Sequence, residues 1–283
     1  MRPQRRTSHR GAHSSTIDAE FIPHPPGAKR GVFRWSLRPI VCETWNAVTT
    51  PAEILAELEP LGRASYRKVL FNHGIQEPCF GVKISELQKI RRRLKADYRL
   101  ALGLYASGNY DAMYLAGLIA DDARMTKRDL QRWVAQAYCG ALAGTTVAWV
   151  AAGSPQGHEL ALEWIEAKRE ITAAAGWATL SARVSVKPDA DLDLPELKQL
   201  LKRVETSIHR QPDLVRYQMN GFVIGVGSYV APLTGFAIAI GERIGPVTAD
   251  LGDNACQVPF APNYIRKVQQ RGTIGRKRKS ARC

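Results

Sequence analysis

The sequence is 283 residues long, 45% hydrophobic and 23% charged, with 40 Lys and Arg against 26 Asp and Glu for a formal net charge of +14. Such a composition excludes a wholly disordered chain, a collagen and a disulfide-dense miniprotein. A positive surplus invites a nucleic-acid partner, although net charge speaks to non-specific attraction and not to fold.

The surplus is unevenly placed. Residues 1–48 carry eight basic and three acidic side chains, and residues 266–283 carry eight basic and none acidic. The body between, 49–265, holds 24 basic and 23 acidic residues. Cys42, Cys79, Cys139, Cys256 and Cys283 are odd in number and scattered, with no C-x-x-C pair, so neither a zinc site nor a disulfide framework is indicated. No cofactor is called for. The opening residues lack the apolar stretch of a secretory signal, and a cytoplasmic location is the expectation.

Residues 1–48 mix Arg, Ser, His, Gly and Pro without period and read as a disordered basic extension. Val48, directly before the first clear helix start, is a candidate initiation point, in which case the preceding residues are not translated. Thr50, Pro51 and Glu53 then form a capping box with proline at the first helical position. Apolar spacing predicts a helix through Leu58 and a second through Tyr66 to Phe71, ended by Gly74. Further helices are expected from Ser85, from Asp97 to Gly108, over 110–121, and from a second capping box at Thr126 and Asp129. The remaining helical runs cover 144–152, 156–168, 170–184, 194–209, 213–227 and 231–244. No alternating strand or Asn-Gly hairpin signal occurs. Twenty-five residues without a charge separate Arg216 from Glu242. Glycines and Pro232 interrupt them, so two buried helices meeting near Ser228 to Pro232 are expected in place of a membrane span. The prediction is an all-α chain of antiparallel helical hairpins: a repeat domain over 49–265 followed by a basic tail, 266–283.

The run F-G-V-K-I-S-E-L-Q-K-I at 80–90, the run from Asp97 to Asp122, and D-L-Q-R-W-V at 129–134 resemble the HEAT-like DNA alkylation repair family, and the similarity extends from about 51 to 283. That resemblance implies a right-handed α-α superhelix whose concave face binds duplex DNA. In the family's glycosylases, which remove N3- or N7-alkylated purines, a Trp and an Asp one helical turn apart, a second Trp and an Arg surround the cationic nucleotide. Aromatic faces attract its positive charge, and the carboxylate stabilises the oxocarbenium that forms as the glycosidic bond breaks. The family does this without flipping the base out, unlike most base-acting enzymes.

Carried over position by position, that constellation is missing. Cys139 or Gly140 stands in the first Trp place and Ala143 or Gly144 in the Asp place, and no acid occurs from Leu130 to His158. The Arg place falls near Ala173 or Ala174, and the second Trp place near Phe222. The resemblance therefore points to a protein that engages damaged or distorted duplex DNA, with excision of alkylated purines left open although its usual residues are missing. A non-catalytic scaffold for a protein partner is the alternative.

Several residues carry two readings. Trp177 replaces the lost aromatic or belongs to the core. Arg216 and Asn220, one turn apart, reach a phosphate and a base edge, or serve as a solvated charge and a satisfied buried amide; Phe222 keeps an aromatic beside them. Lys89, Arg92 and Arg93 form a phosphate-contacting helix or a solvated face. Glu159, Glu163, Glu166 and Glu170 share a helix face that either turns from DNA or meets a protein. Asp250, Asp253 and Cys256 are better read as a turn than as metal ligands. Arg276, Lys277, Arg278 and Lys279 in the tail can neutralise several phosphates, or serve only solubility.

Overall fold

The computed structural model describes residues 49–253 and 257–282. The expectations for residues 1–48 and for Cys256 lie outside them. Residues 48–283 form one compact unit.

Among the described residues the secondary structure is helical, with one isolated antiparallel bridge between Gly62 and Val82. The helices are α1 (Pro51–Leu58), α2 (Ala64–Asn72), α3 (Ile84–Leu94), α4 (Tyr98–Ala106), α5 (Tyr110–Ile119), α6 (Lys127–Gln136), α7 (Ala148–Gly153), α8 (Gly157–Trp164), α9 (Glu170–Val186), α10 (Leu194–Ser207), α11 (Asp213–Tyr229), α12 (Thr234–Ile244) and α13 (Ala261–Gln270). A π-helical turn, Leu142–Val147, runs directly into α7. Side-chain caps fix most of the early starts. Both predicted capping boxes are present, at Thr50 with Glu53 and at Thr126 with Asp129. Asp97 accepts from the amide of Leu100, and Asn109 from those of Asp111 and Ala112. Each satisfies amides that the first helical turn leaves unpaired.

Two rows of helices result. The first row is α5, the Leu142–Gly153 segment, α9 and α11, each packed on the next. In the second row, α6, α8, α10 and α12, ion pairs link consecutive members. Lys127 pairs with Glu159 and Glu163, Arg203 with Glu166, and Arg243 with Glu205. The charge-poor stretch is the α11–α12 pair, bent by 114° at the break. Among the described residues no single helix is long and apolar enough to cross a membrane. All ten residues of α5 are buried, which makes it the centre of the N-terminal half of the core.

One buried carboxylate joins the first hairpins to that centre. Asp111, fully buried in the first turn of α5, accepts from the backbone amides of Phe80, Gly81 and Val82 at 2.7–3.1 Å and from the thiol of Cys79 at 3.6 Å. The F-G-V run is thus a backbone loop folded around a carboxylate, at the positive end of a helix where negative charge is favoured. Burial, with the Asp111 charge adding to it, pushes the Cys79 thiol up to about 12, so it is an inert packing group.

The predicted tail boundary at 265 does not hold. Residue 265 lies inside α13, whose Ile265 is fully buried, and the chain beyond it folds back onto the body. The sequence reading missed α13 because it is short and follows a loop, although Ala261, Ile265 and Val268 repeat at helical spacing.

Replacing Asp111 by Ala strands three backbone donors in the core. Urea denaturation of Asp111→Ala is expected to show a loss of about 4 kcal/mol with an unchanged m-value, and a loss below about 1 kcal/mol would show that the loop re-pairs elsewhere.

Candidate nucleic-acid interface

The places where the resemblance puts a catalytic Trp, Asp and Arg form a floor of small side chains. Gly140, just before the π-helical turn, and Gly144, within it, face α11. A Cβ on Gly140 would stand 2.7 Å from Leu214 Cδ2, and one on Gly144 would stand 2.5 Å from Gln218 Nε2. Ala173 and Ala174 on α9 are buried. Leu214 and Gln218 therefore occupy the space that larger residues at those places would need. The neighbouring carboxylate, Glu170, accepts from the Leu214 amide at 2.9 Å and so caps the start of α11. Cys139 is buried, and burial raises its thiol pKa, so it offers no nucleophile.

Most of the sequence-predicted site residues belong to the fold. Trp177 and Phe222 are buried against each other, with ring centroids 5.4 Å apart, and Arg203 lies over the Trp177 ring. Both rings lie in the hydrophobic core. Asn220 is buried and donates to the Pro259 carbonyl at 2.9 Å. Arg216 pairs with Asp213, whose carboxylate also accepts from the Asp250 amide. Asp213 and Asn220 thus hold Asp250 and Pro259, and Asp250 caps its own turn through the Gly252 amide. On α3, Lys89 pairs with Glu86 at 2.9 Å and Arg93 with Glu57 on α1, while Arg92 is exposed.

The acidic face is not a vacant docking surface either. Glu159 and Glu163 share Lys127, Glu166 holds Arg203, and Glu170 caps α11. Exposed pairs of this kind are screened by solvent and contribute little. The four acids do not share one helix face as expected: Glu159 and Glu163 are on α8, Glu166 follows it and Glu170 opens α9.

The C-terminal segment is the feature with a consequence for binding. It crosses the C-terminal ends of three first-row helices in turn. The Gly275 amide donates to Ser228 O on α11 at 2.9 Å, and the Arg278 amide to Ser185 O on α9 at 2.8 Å. Lys277 Nζ donates to Val184 O and pairs with Asp189, both at 2.8 Å. Arg282 Nε donates to Gly117 O on α5 at 2.6 Å, and its two terminal nitrogens bind Ala120 O and the Asp122 carboxylate. Ala281 is buried in the N-terminal core. Helix C-termini expose unpaired carbonyls and carry partial negative charge, so a basic segment is the natural cover. Lys277 and Arg282 are committed to this strap. Arg271 at the end of α13, and Arg276 and Lys279 on the strap, are exposed.

Between the strap, α9, α11 and α13 lies a cleft of about 480 Å³ lined by Arg271, Arg276, Lys277 and Arg278 and by no acid. Tyr229 and Tyr264 stand in its walls, and Tyr264 is 48% exposed. Sequence reasoning missed Arg271 and Tyr264 as site residues. The signal was available in the period of α13, which sets Tyr264, Val268 and Arg271 on one face.

The family model described as DNA alkylation repair enzyme matches residues 54–235. The chain belongs to that family. Uncharacterized proteins of Listeria innocua and Listeria monocytogenes are 31% and 30% identical to it over 220 residues, which is 76% of this chain and 95% of each relative. A solved structure with 32% identity and a TM-score of 0.77 covers 83% of this chain and is itself covered completely. It is described as a member of a new family of proteins related to the HEAT-like repeat DNA glycosylases, with affinity for branched DNA structures. The fold is accordingly the HEAT-like helical superhelix. The matched family region ends in α12, so α13, the strap and the cleft walls they provide lie beyond it.

Arg282 is 13% exposed and Asp122 19%, so Arg282→Ala leaves a largely buried carboxylate unpaired and is expected to cost about 3 kcal/mol at neutral pH in thermal or urea unfolding. Burial already raises the Asp122 pKa, with Arg282 opposing it. Removal of Arg282 raises it further. A raised carboxylate pKa favours the folded state below the unfolded value and loses that advantage as pH rises through the folded one. The deficit of Arg282→Ala should therefore shrink toward pH 4 and grow toward pH 8; a deficit independent of pH would locate the loss in the backbone contacts alone.

Proposed function

We propose that the protein binds DNA, with preference for branched or distorted duplex, and holds it without cleaving the glycosidic bond. The observation that carries this reading is the cationic rim of Arg271, Arg276, Arg278 and Lys279, presented from a strap that hydrogen bonds to the first-row helices, beside a cleft lined by no acid. A rim held in place places several positive charges against successive phosphates without first losing the entropy of a free tail. The affinity of the solved neighbour for branched DNA supports the same class of ligand.

Excision is disfavoured by the floor of Gly140, Gly144, Ala173 and Ala174. These residues supply neither a carboxylate for the developing oxocarbenium nor an aromatic face for the cationic base, and Leu214 and Gln218 fill the space over the glycines. A protein partner on the acidic face is less favoured than DNA, because those carboxylates already bind Lys127, Arg203 and the Leu214 amide. A cytoplasmic site of action on DNA goes with this reading.

Binding of a four-way junction and of a linear duplex of equal length, measured across salt, tests it. The junction is expected to bind more tightly, with a log–log salt slope of about −4 if four phosphates are neutralised. The same preparation should release no N3- or N7-methylpurine from methylated DNA above the spontaneous rate. Stoichiometric base release would overturn the non-catalytic part, and equal weak affinity for both DNAs would overturn the branch preference.

A further inference from the structure

Helix α11 carries two glycines, Gly221 and Gly225, on the side that floors the cleft. Glycine inside a helix is unfavourable relative to alanine, so each position needs a reason. Gly225 has one in packing, since a Cβ there would stand 2.7 Å from Ser181 Oγ on α9. Gly221 has none. A Cβ there would meet only Gln218 Oε1, at 3.9 Å, an ordinary contact. Its carbonyl accepts from Ser181 Oγ on α9 at 3.2 Å, but its Cβ position is open on the lining of the cleft, and there glycine permits a ligand to approach closely.

The other walls give that ligand a chemistry. Ser228, one of the lining residues, is 3% exposed, and its hydroxyl has no hydrogen-bond partner among the described residues. A buried hydroxyl left unpaired is unfavourable, and a ligand oxygen or amide would satisfy it. Neither Arg271 nor Arg276 has a carboxylate partner among the described residues, and Lys277 is already neutralised by Asp189. Tyr264 presents an exposed ring above this charge. A volume of about 480 Å³ suits a small-molecule-sized group and excludes a duplex.

We propose that this cleft seats one unpaired nucleotide of a DNA branch, with its phosphate on Arg271 and Arg276, its base against Tyr264, and its sugar edge passing over Gly221 toward Ser228. The inference rests on the DNA-binding reading above and adds the element that distinguishes a branch from a continuous duplex. Stacking on an aromatic ring is tolerant of sequence because every base has a face. The site therefore recognises the unpaired state and not a particular base.

The test measures binding of the full chain to a duplex carrying a short oligothymidylate flap and to the same duplex fully paired. Gly221→Ala should raise the melting temperature by roughly 2 °C, because it removes a helix-interior glycine without a clash. It should nevertheless weaken flap binding about tenfold while duplex binding stays within about twofold. Tyr264→Ala should match that loss and Tyr264→Phe should restore it. Ser228→Ala should weaken flap binding without loss of stability. Free oligothymidylate should compete with the flap for the wild-type protein and not for Gly221→Ala. Unchanged flap binding in Gly221→Ala and Tyr264→Ala would overturn the inference and leave DNA binding standing. Equal losses on flap and duplex would overturn it in favour of a general phosphate surface. Failure of the wild type to bind either DNA would overturn the DNA-binding reading itself, and this inference with it.

Discussion

A row of helices that end along one edge creates a specific liability. Each C-terminus leaves carbonyls without intrahelical partners and adds its partial negative charge to that of its neighbours. Here α5, α9 and α11 end in this way, and a single segment meets all three. Its amides at Gly275 and Arg278 and its cations at Lys277 and Arg282 bind carbonyls on each helix in turn. Because the last anchor, Arg282 with Ala281, reaches the N-terminal core, the end of the chain ties the last helices to the first ones. The position of α13, the closure of the cleft and the placement of the outer cations all follow from that tie.

The same edge explains why a basic terminal segment need not be a free electrostatic arm. Cations that cover helix ends are not available to phosphates, and those that remain are held at fixed positions. The division is visible within four consecutive residues. Lys277 is bound to Val184 and Asp189, while Arg276 and Lys279 are exposed.

The helical architecture was legible in the sequence because its determinants are local. Thr50 with Glu53, Thr126 with Asp129, and Asp97 each announce a start through a cap that needs no tertiary partner. The site was legible mainly by what it lacks. The absence of the Trp, Asp and Arg at Cys139 or Gly140, Ala143 or Gly144, and Ala173 or Ala174 can be read from residue identity. The filling of their space by Leu214 and Gln218 cannot, because it depends on how closely α11 approaches the π-helical turn. Trp177, Phe222, Asn220 and Arg216 show the converse difficulty. Aromatic and polar side chains on a charge-poor helix look functional in one dimension, and only the packed neighbours Pro259, Asp213 and Arg203 show that they are already satisfied. The pairing of the acidic residues is hidden for the same reason, since the partners of Glu159, Glu163 and Glu166 sit about 32–37 residues away in sequence.

Two kinds of small residue on the first-row helices separate structure from function. At Gly140, Gly144 and Gly225 a Cβ would press on a neighbouring side chain, Leu214, Gln218 or Ser181, so the bare backbone lets these helices come close. At Gly221 no neighbour demands it. A helix that keeps an unfavourable residue facing open space, beside an unsatisfied buried hydroxyl and cations that lack acidic partners, leaves local costs that an occupant would offset. On the proposed reading, small residues in the middle of the row stand where the family's glycosylases carry their reaction centre, and the cleft at its end, where the strap supplies the charge, takes up the binding role. Recognition of DNA shape in place of chemistry on a base is what that reading makes of both features.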